Sequence, residues 1–253
     1  MSPKQGPKNL GASVRARLLD LANRRGIEFQ LVLSEYAIER LLYRLGASHH
    51  VDQFVLKGAT LFRIWADVGH RATWDLDLHG RGANGVDDVL SAIRELCAIE
   101  VEDGIIFDAR TLRGEEIRAE DEYAGVRVRL EAEVAGARIP VQVDVGFGDA
   151  VVPAPTIEQF PVLLPHPAPR ILVYPREAVI AEKLEAMILL GVTNSRMKDF
   201  FDVFVLSKAF PFDGPTLVRS IRATFERRGT PLPAAIPIVL TEGFFAAPER
   251  RIL

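Results

Sequence analysis

Apolar residues recur at helical spacing in two early segments. Val14, Leu18, Leu19 and Leu21 share one side of a helix expected over about Ser13–Arg25. Leu31, Leu33, Ile38, Leu41 and Leu42 form the stripe of a second, over about Glu28–Leu45, stopped by Gly46-Ala47-Ser48. A strand then reads through Val55-Leu56-Lys57-Gly58, with a short helix from Ala59 to Trp65 and a turn at Asp67-Val68-Gly69. Ala72–Leu78 reads as another strand, Gly80–Gly85 as a loop, and Asp87 as the cap of a helix to about Ile99. Apolar and polar positions alternate through Gly125–Val134 and Arg138–Val145. With Ala135-Gly136-Ala137 as the turn, this predicts antiparallel sheet within residues 104–149. Prolines from Pro153 to Pro169 exclude regular helix and central strand and mark a long connection. Helical spacing returns at Arg176–Leu190, Arg196–Ser207 and Thr216–Arg228, before a proline-rich tail from Pro231. The pattern predicts an α+β fold, a mixed or antiparallel sheet flanked by helices. Residues 1–50 form an N-terminal helical segment packing on the core, 51–152 a sheet domain and 170–253 a C-terminal helical region.

Composition narrows the function classes. The chain has 253 residues, 48% hydrophobic and 26% charged, which suits a protein with a substantial core. A net charge of −3 supplies no overall basic field for nucleic acid, so such contact needs a local patch. Arg219, Arg222, Arg227 and Arg228 are one candidate, or a plain solvated face. The lone Cys97 excludes an internal disulfide and any cysteine-rich metal site. The polar N-terminus lacks the apolar core of a signal peptide, and no apolar stretch is long enough to span a membrane. A cytoplasmic location is expected.

The chemistry concentrates in acids. In Thr73-Trp74-Asp75-Leu76-Asp77-Leu78, strand geometry sends Leu76 and Leu78 inward and both carboxylates out together. Adjacent carboxylates repel unless a cation binds, and magnesium prefers such hard oxygen ligands. An exposed strand with two surface acids is the plainer reading. Asp144 projects from the polar face of Ile139–Val145, and three converging carboxylates can hold two divalent ions for an in-line displacement. Asp144 can equally be a cross-hairpin partner of Arg127 or Arg129. Lys57-Gly58-Ala59-Thr60 lets backbone approach phosphate but lacks Walker A spacing. Lys183, in Glu182-Lys183-Leu184-Glu185-Ala186, lies near an apolar stripe and can reach a phosphate or simply snorkel. In Arg196-Met197-Lys198-Asp199-Phe200-Phe201-Asp202, both acids share a helix face, either paired with Lys183 or Arg196 or catalytic.

In this order the blocks Lys57-Gly58-Ala59-Thr60-Leu61, Arg71-Ala72-Thr73-Trp74-Asp75-Leu76-Asp77, Asp144, Glu182-Lys183-Leu184-Glu185-Ala186 and Arg196–Asp202 resemble the AbiEii/AbiGii family of nucleotidyltransferase toxins. That family includes the mycobacterial MenA-type toxins and is a branch of the DNA polymerase β-like nucleotidyltransferase superfamily. The resemblance spans about Phe54–Leu206. Ala59 stands where the family has a second glycine or serine, and Thr73 where it has serine, which keeps the hydroxyl. The resemblance implies a nucleotidyltransferase-type sheet, with the C-terminal helices completing the active site. By that resemblance Asp75, Asp77 and Asp144 would bind magnesium. Lys57 would belong to the nucleotide site, Gly58, Thr60 and Thr73 would line the triphosphate, and Lys183, Arg196 and Lys198 would offset phosphate charge. Asp199 would act near the attacking hydroxyl or orient Lys183, while Asp202 would be structural. It further implies transfer of a nucleoside monophosphate from an NTP, with the tRNA 3′ end as acceptor, in a type IV-like toxin–antitoxin system with a winged-helix antitoxin. A protein or small-molecule acceptor, or an inactive binding module on the same fold, are the alternatives.

Overall fold

The computed structural model describes residues 9–65, 73–118 and 124–246. Seven helices and seven strands are defined among them: α1 Leu10–Arg25, α2 Phe29–Gly46, β1 Phe54–Lys57, β2 Asp75–Gly80, α3 Val86–Ala98, β3 Ile106–Arg118, β4 Ala124–Val134, β5 Ala137–Phe147, β6 Thr156–Gln159, β7 Arg170–Val173, α4 Arg176–Leu190, α5 Met197–Ala209, α6 Gly214–Arg227 and α7 Glu242–Ala246. Two compact units emerge. One comprises residues 1–148 and 157–173, the other 149–156 and 174–253.

The first unit is a mixed seven-stranded sheet in the order β3-β4-β5-β2-β1-β7-β6. β3, β4 and β5 form an antiparallel meander, β2 runs parallel to β5 and antiparallel to β1, and β1 is parallel to β7. The β4–β5 turn is the two-residue Ala135-Gly136, with φ of 46° and 81°. Positive φ at both positions is the turn that matches strand twist. Along β5 the odd positions from Ile139 to Val145 are at most 3% exposed. They continue across β2 as Leu76 and Leu78 and across β4 as Val126, Val128 and Leu130. α2 packs against β5 and β7, α3 against β3 and β4, and α1 against α2 and β4. Burying this continuous apolar surface is what holds helices to sheet.

Three expectations need correcting. Gly85, not Asp87, is the N-cap of α3, and Asp87 lies in its first turn, where a carboxylate favours the helix dipole. Gly80 belongs to β2 rather than to the loop. The proline-rich stretch is not only a connection. Its flanks supply β6 and β7, so residues 170–173 complete the sheet instead of opening the helical region. β6 occupies an edge, where missing N–H donors are tolerated. The turn expected at Asp67-Val68-Gly69 lies outside the described residues.

α2 is buried nearly all round. Glu39, Arg40 and Arg44 are at most 3% exposed, and with fully buried Asp103 they form an ion network. Arg40 Nε donates to Asp103 Oδ2 at 2.9 Å and Arg44 Nη1 to the same oxygen at 2.7 Å. Leu163 N donates to Glu39 Oε2 at 2.7 Å, which ties the proline-rich segment to α2.

The second unit packs α4 against α5 and α6. Met187, Val239 and Phe244 form a small core, joined by Ile188, Phe200 and Val203. α4 begins at Arg176 with Pro175 as its N-cap, and Asp213 caps α6 by accepting from Thr216 N. No helix among the described residues is long and apolar enough to cross a membrane.

Candidate active site

β2 carries Asp75 and Asp77 on one face of the sheet, both half-buried, with Leu76 and Leu78 each 1% exposed on the other. Register then brings charges together. Lys57 of β1 stands opposite Asp77, Asp77 beside Asp144 of β5, Asp144 opposite Arg127 of β4, and Arg127 opposite Glu115 of β3. Cross-strand neighbours share a face, so one charged residue from each of five strands forms a single row. Its signs alternate except at its centre, where Asp77 meets Asp144. Adjacent like charges disfavour ionisation of both unless a cation lies between them.

Arg127 grips Asp144 with two parallel hydrogen bonds. Its Nε donates to Oδ1 at 2.8 Å and its Nη2 to Oδ2 at 2.7 Å, while Gln142 Nε2 donates to Oδ2 at 3.3 Å. The hydrogen bond to Asp144 chiefly raises the Arg127 pKa; burial opposes it, and the charges of Asp144, Asp75 and Glu115 add to it. The cross-hairpin pairing of Asp144 is therefore real, and its partner is Arg127. Arg129 pairs with Glu115 at 2.8 Å instead.

Gly58 follows Lys57 with φ 72° and ψ −159°, a conformation essentially restricted to glycine. A Cβ there would lie 2.0 Å from Asp77 Oδ2 and 2.7 Å from Asp77 Cβ. The absent side chain thus makes the space that the Asp77 carboxylate occupies. Thr60 is 1% exposed, and its hydroxyl lies 3.5 Å from the Asp75 carbonyl, which the Thr73 hydroxyl also approaches, at 3.4 Å. Both threonines therefore steady the backbone of the aspartate strand. Arg71 lies outside the described residues.

Hard oxygen donors on one face, with room made for one of them by a glycine, fit a divalent cation such as magnesium.

The second unit holds a separate charged cluster. Lys183 Nζ lies 2.8 Å from both Asp199 Oδ1 and Asp202 Oδ2, and Arg196 Nε lies 3.0 Å from Asp199 Oδ2. Asp199 and Asp202 are 2% and 1% exposed, so their charges are buried but compensated. Lys198 is exposed. Sequence reading missed a further network there. Arg228 donates to Asp149 Oδ1 at 2.9 Å and to Glu185 Oε2 at 2.8 Å. Burial alone would lower its pKa, but Glu182, Asp149 and Glu185 outweigh burial and raise it. Arg228 therefore drops out of the basic stretch on α6, which keeps exposed Arg219, Arg222 and Arg227. The signal that could have found this was Glu185, an acid within the apolar run of α4.

Residues 40–251 match the family model described as "Nucleotidyl transferase AbiEii toxin, Type IV TA system". Among solved structures, the chain is similar to JHP933 from Helicobacter pylori, at 16% identity, over 79% of this chain and 80% of that one, with a TM-score of 0.46. It is also similar to a candidate nucleotidyltransferase from H. pylori, at 13% identity over 80% and 96% of the two chains, with a TM-score of 0.39. No curated protein matches the sequence.

Proposed function

Since the chain belongs to the AbiEii nucleotidyl transferase toxin family of type IV toxin–antitoxin systems and is a nucleotidyltransferase, we propose that Asp75, Asp77 and Asp144 are its catalytic carboxylates. Here they would hold magnesium and direct transfer of a nucleoside monophosphate from an NTP to an acceptor hydroxyl. The observation that carries this reading is the register that sets Asp77 beside Asp144, with Asp75 two residues away on the same face. Bound there, magnesium would promote ionisation of the attacking hydroxyl and offset charge on the leaving pyrophosphate.

The chain's own residues divide the remaining work. Gly58 keeps the Asp77 carboxylate in place by leaving it room. Thr60 and Thr73 fix the Asp75 backbone, and Lys57, opposite Asp77, offsets charge where the triphosphate is expected. Lys183, Asp199, Arg196 and Lys198 are proposed as contributors from the helical unit, with Asp202 structural. The type IV family implies an antitoxin partner and a nucleotide substrate. We assign the antitoxin a winged-helix domain, the acceptor role to the 3′ end of tRNA, and the setting to the cytoplasm. Exposed Arg219, Arg222 and Arg227 on α6 support an RNA acceptor, because phosphate contacts need a local basic face on an otherwise acidic protein.

Incubation with each radiolabelled NTP, magnesium and total tRNA tests the reading. Wild type is expected to label tRNA, and Asp75→Ala or Asp77→Ala to abolish labelling. Full labelling by both variants refutes the carboxylate assignment. Magnesium-dependent turnover with a protein or small molecule, and none with tRNA, moves the acceptor to that class.

A further inference from the structure

His49 and His50 follow the end of α2, and Glu95 lies on α3. None belongs to the site above. β1 and β2 pair from Phe54 with Gly80 to Lys57 with Asp77, so the histidines precede the first rung and the carboxylates occupy the last. Three rungs correspond to roughly 10 Å along the strands.

One ligand atom from each of the three residues falls within 4.8 Å of the others. His50 Nε2 lies 3.0 Å and His49 Nε2 3.4 Å from the same oxygen, Glu95 Oε2. Tetrahedral zinc with bonds of about 2.0–2.1 Å sets its ligands about 3.3 Å apart, close to the distance of each imidazole nitrogen from Glu95 Oε2. The imidazole centroids are 4.0 Å apart.

Gln53 Oε1 lies 2.7 Å from His50 Nδ1, within hydrogen-bonding distance of the ring nitrogen that does not face Glu95. Outer hydrogen bonds of this kind orient metal-ligating histidines. The ligand turn is fixed at both ends. Ser48 Oγ accepts from His50 N at 3.1 Å, and Arg81 N donates to Gln53 O at 2.8 Å. A cavity of about 240 Å³ opens beside His50 and Glu95, lined also by Arg81, Asp88 and Ser91, with room for a water or small anion.

We propose that His49, His50 and Glu95 form a second cation site, for a zinc-type transition-metal dication bound by two imidazole nitrogens and one carboxylate, with a fourth position for water. Magnesium is excluded by chemistry, because imidazole suits zinc, copper and nickel while magnesium takes oxygen. Such an ion would clip α3 to the turn that leads from α2 into β1.

The test uses untagged full-length protein, stripped with chelator and titrated with zinc by calorimetry in excess magnesium, which keeps the Asp75–Asp77–Asp144 carboxylates occupied. Wild type is expected to bind one equivalent, with a rise in Tm and, on cobalt substitution, the intense visible band of a tetrahedral site. His49→Ala and Glu95→Gln alter exposed side chains and so keep the fold, whereas His50 is nearly buried. Each is expected to weaken zinc binding roughly 100-fold or more. Absence of stoichiometric zinc binding by wild type, or wild-type affinity in both variants, overturns the proposal. Neither result depends on nucleotidyl transfer.

Discussion

Gly58→Ala isolates the relation between the glycine that follows β1 and the aspartate beside it. An added Cβ meets Asp77 Oδ2 at 2.0 Å, Cγ at 2.6 Å and Cβ at 2.7 Å, against an ordinary carbon–carbon separation of about 3.5–4.0 Å. Rotating the Asp77 side chain moves its carboxylate aside, but the Asp77 Cβ is fixed to the backbone of β2. Relief therefore requires both a new rotamer and a strand shift. Overpacking of this kind costs about 1–3 kcal/mol. The backbone adds its own cost, about 1–3 kcal/mol for a residue other than glycine at φ 72° and ψ −159°. Together these are a large part of a typical domain's stability of about 5–15 kcal/mol.

A double-mutant cycle separates the two costs. Urea unfolding of wild type, Gly58→Ala, Asp77→Gly and the double variant should show the Gly58→Ala penalty falling by about 1–3 kcal/mol once Asp77 has no side chain. What remains is the backbone strain. Gly58→Ala should also lose the magnesium-dependent rise in Tm expected of wild type, because the displaced carboxylate no longer offers its oxygens. Additive penalties in the cycle, or an intact magnesium response in Gly58→Ala, would refute the reasoning.

Glu39 predicts a pH effect. Burial raises its pKa from 4.5 to about 7, against the opposing hydrogen bond from Leu163 N and the charges of Arg40 and Arg63. A raised folded-state pKa contributes stability that is full below the unfolded value near 4.5 and is lost as pH rises through about 7. Glu39→Gln should therefore gain on wild type as pH rises, by about 3 kcal/mol between pH 5 and pH 8; urea midpoints showing the same difference at both pH values contradict this. Lys183→Ala leaves buried Asp199 and Asp202 without their shared cation and should cost about 3–5 kcal/mol, partly restored by Asp202→Asn. A thermal or urea measurement showing no loss would mean that other groups balance the two acids.

Periodic elements were legible in the sequence, whereas β6, β7 and the burial of the charged positions of α2 were not. α4 spans the expected residues because fifteen positions carry helical spacing behind a proline. The β4–β5 hairpin was readable from its alternation and from glycine in the turn. β7 has four residues between prolines, too few for a period, and it becomes a strand only because β1 offers parallel partners. The charged positions of α2 look like a solvated face until Asp103, some sixty residues later, neutralises Arg40 and Arg44. The same limit applies at the site. Strand periodicity finds Asp75, Asp77 and Asp144, but not that Gly58 abuts Asp77 or that Thr60 is buried beneath Asp75. Those contacts join residues whose proximity is set by tertiary folding.

Arg127 competes for the Asp144 carboxylate with any metal, but the geometry makes the two compatible. A carboxylate offers about four acceptor positions on its two oxygens. On Oδ2, Arg127 Nη2 and Gln142 Nε2 take both. On Oδ1, Arg127 Nε takes one, which leaves a lone pair on that oxygen. Arginine does not deprotonate under physiological conditions, so the pairing sets a permanent positive charge against Asp144 and fixes the carboxylate plane before any ion arrives. The charge count along the face follows from this. Glu115 is offset by its partner Arg129, and three aspartates stand against Lys57 and Arg127, leaving one negative charge to attract a dication. Once bound, the dication turns the balance positive, as a triphosphate requires. The ion pair and the proposed metal ligand are thus compatible in one arrangement, with Arg127 holding the carboxylate that a metal would share.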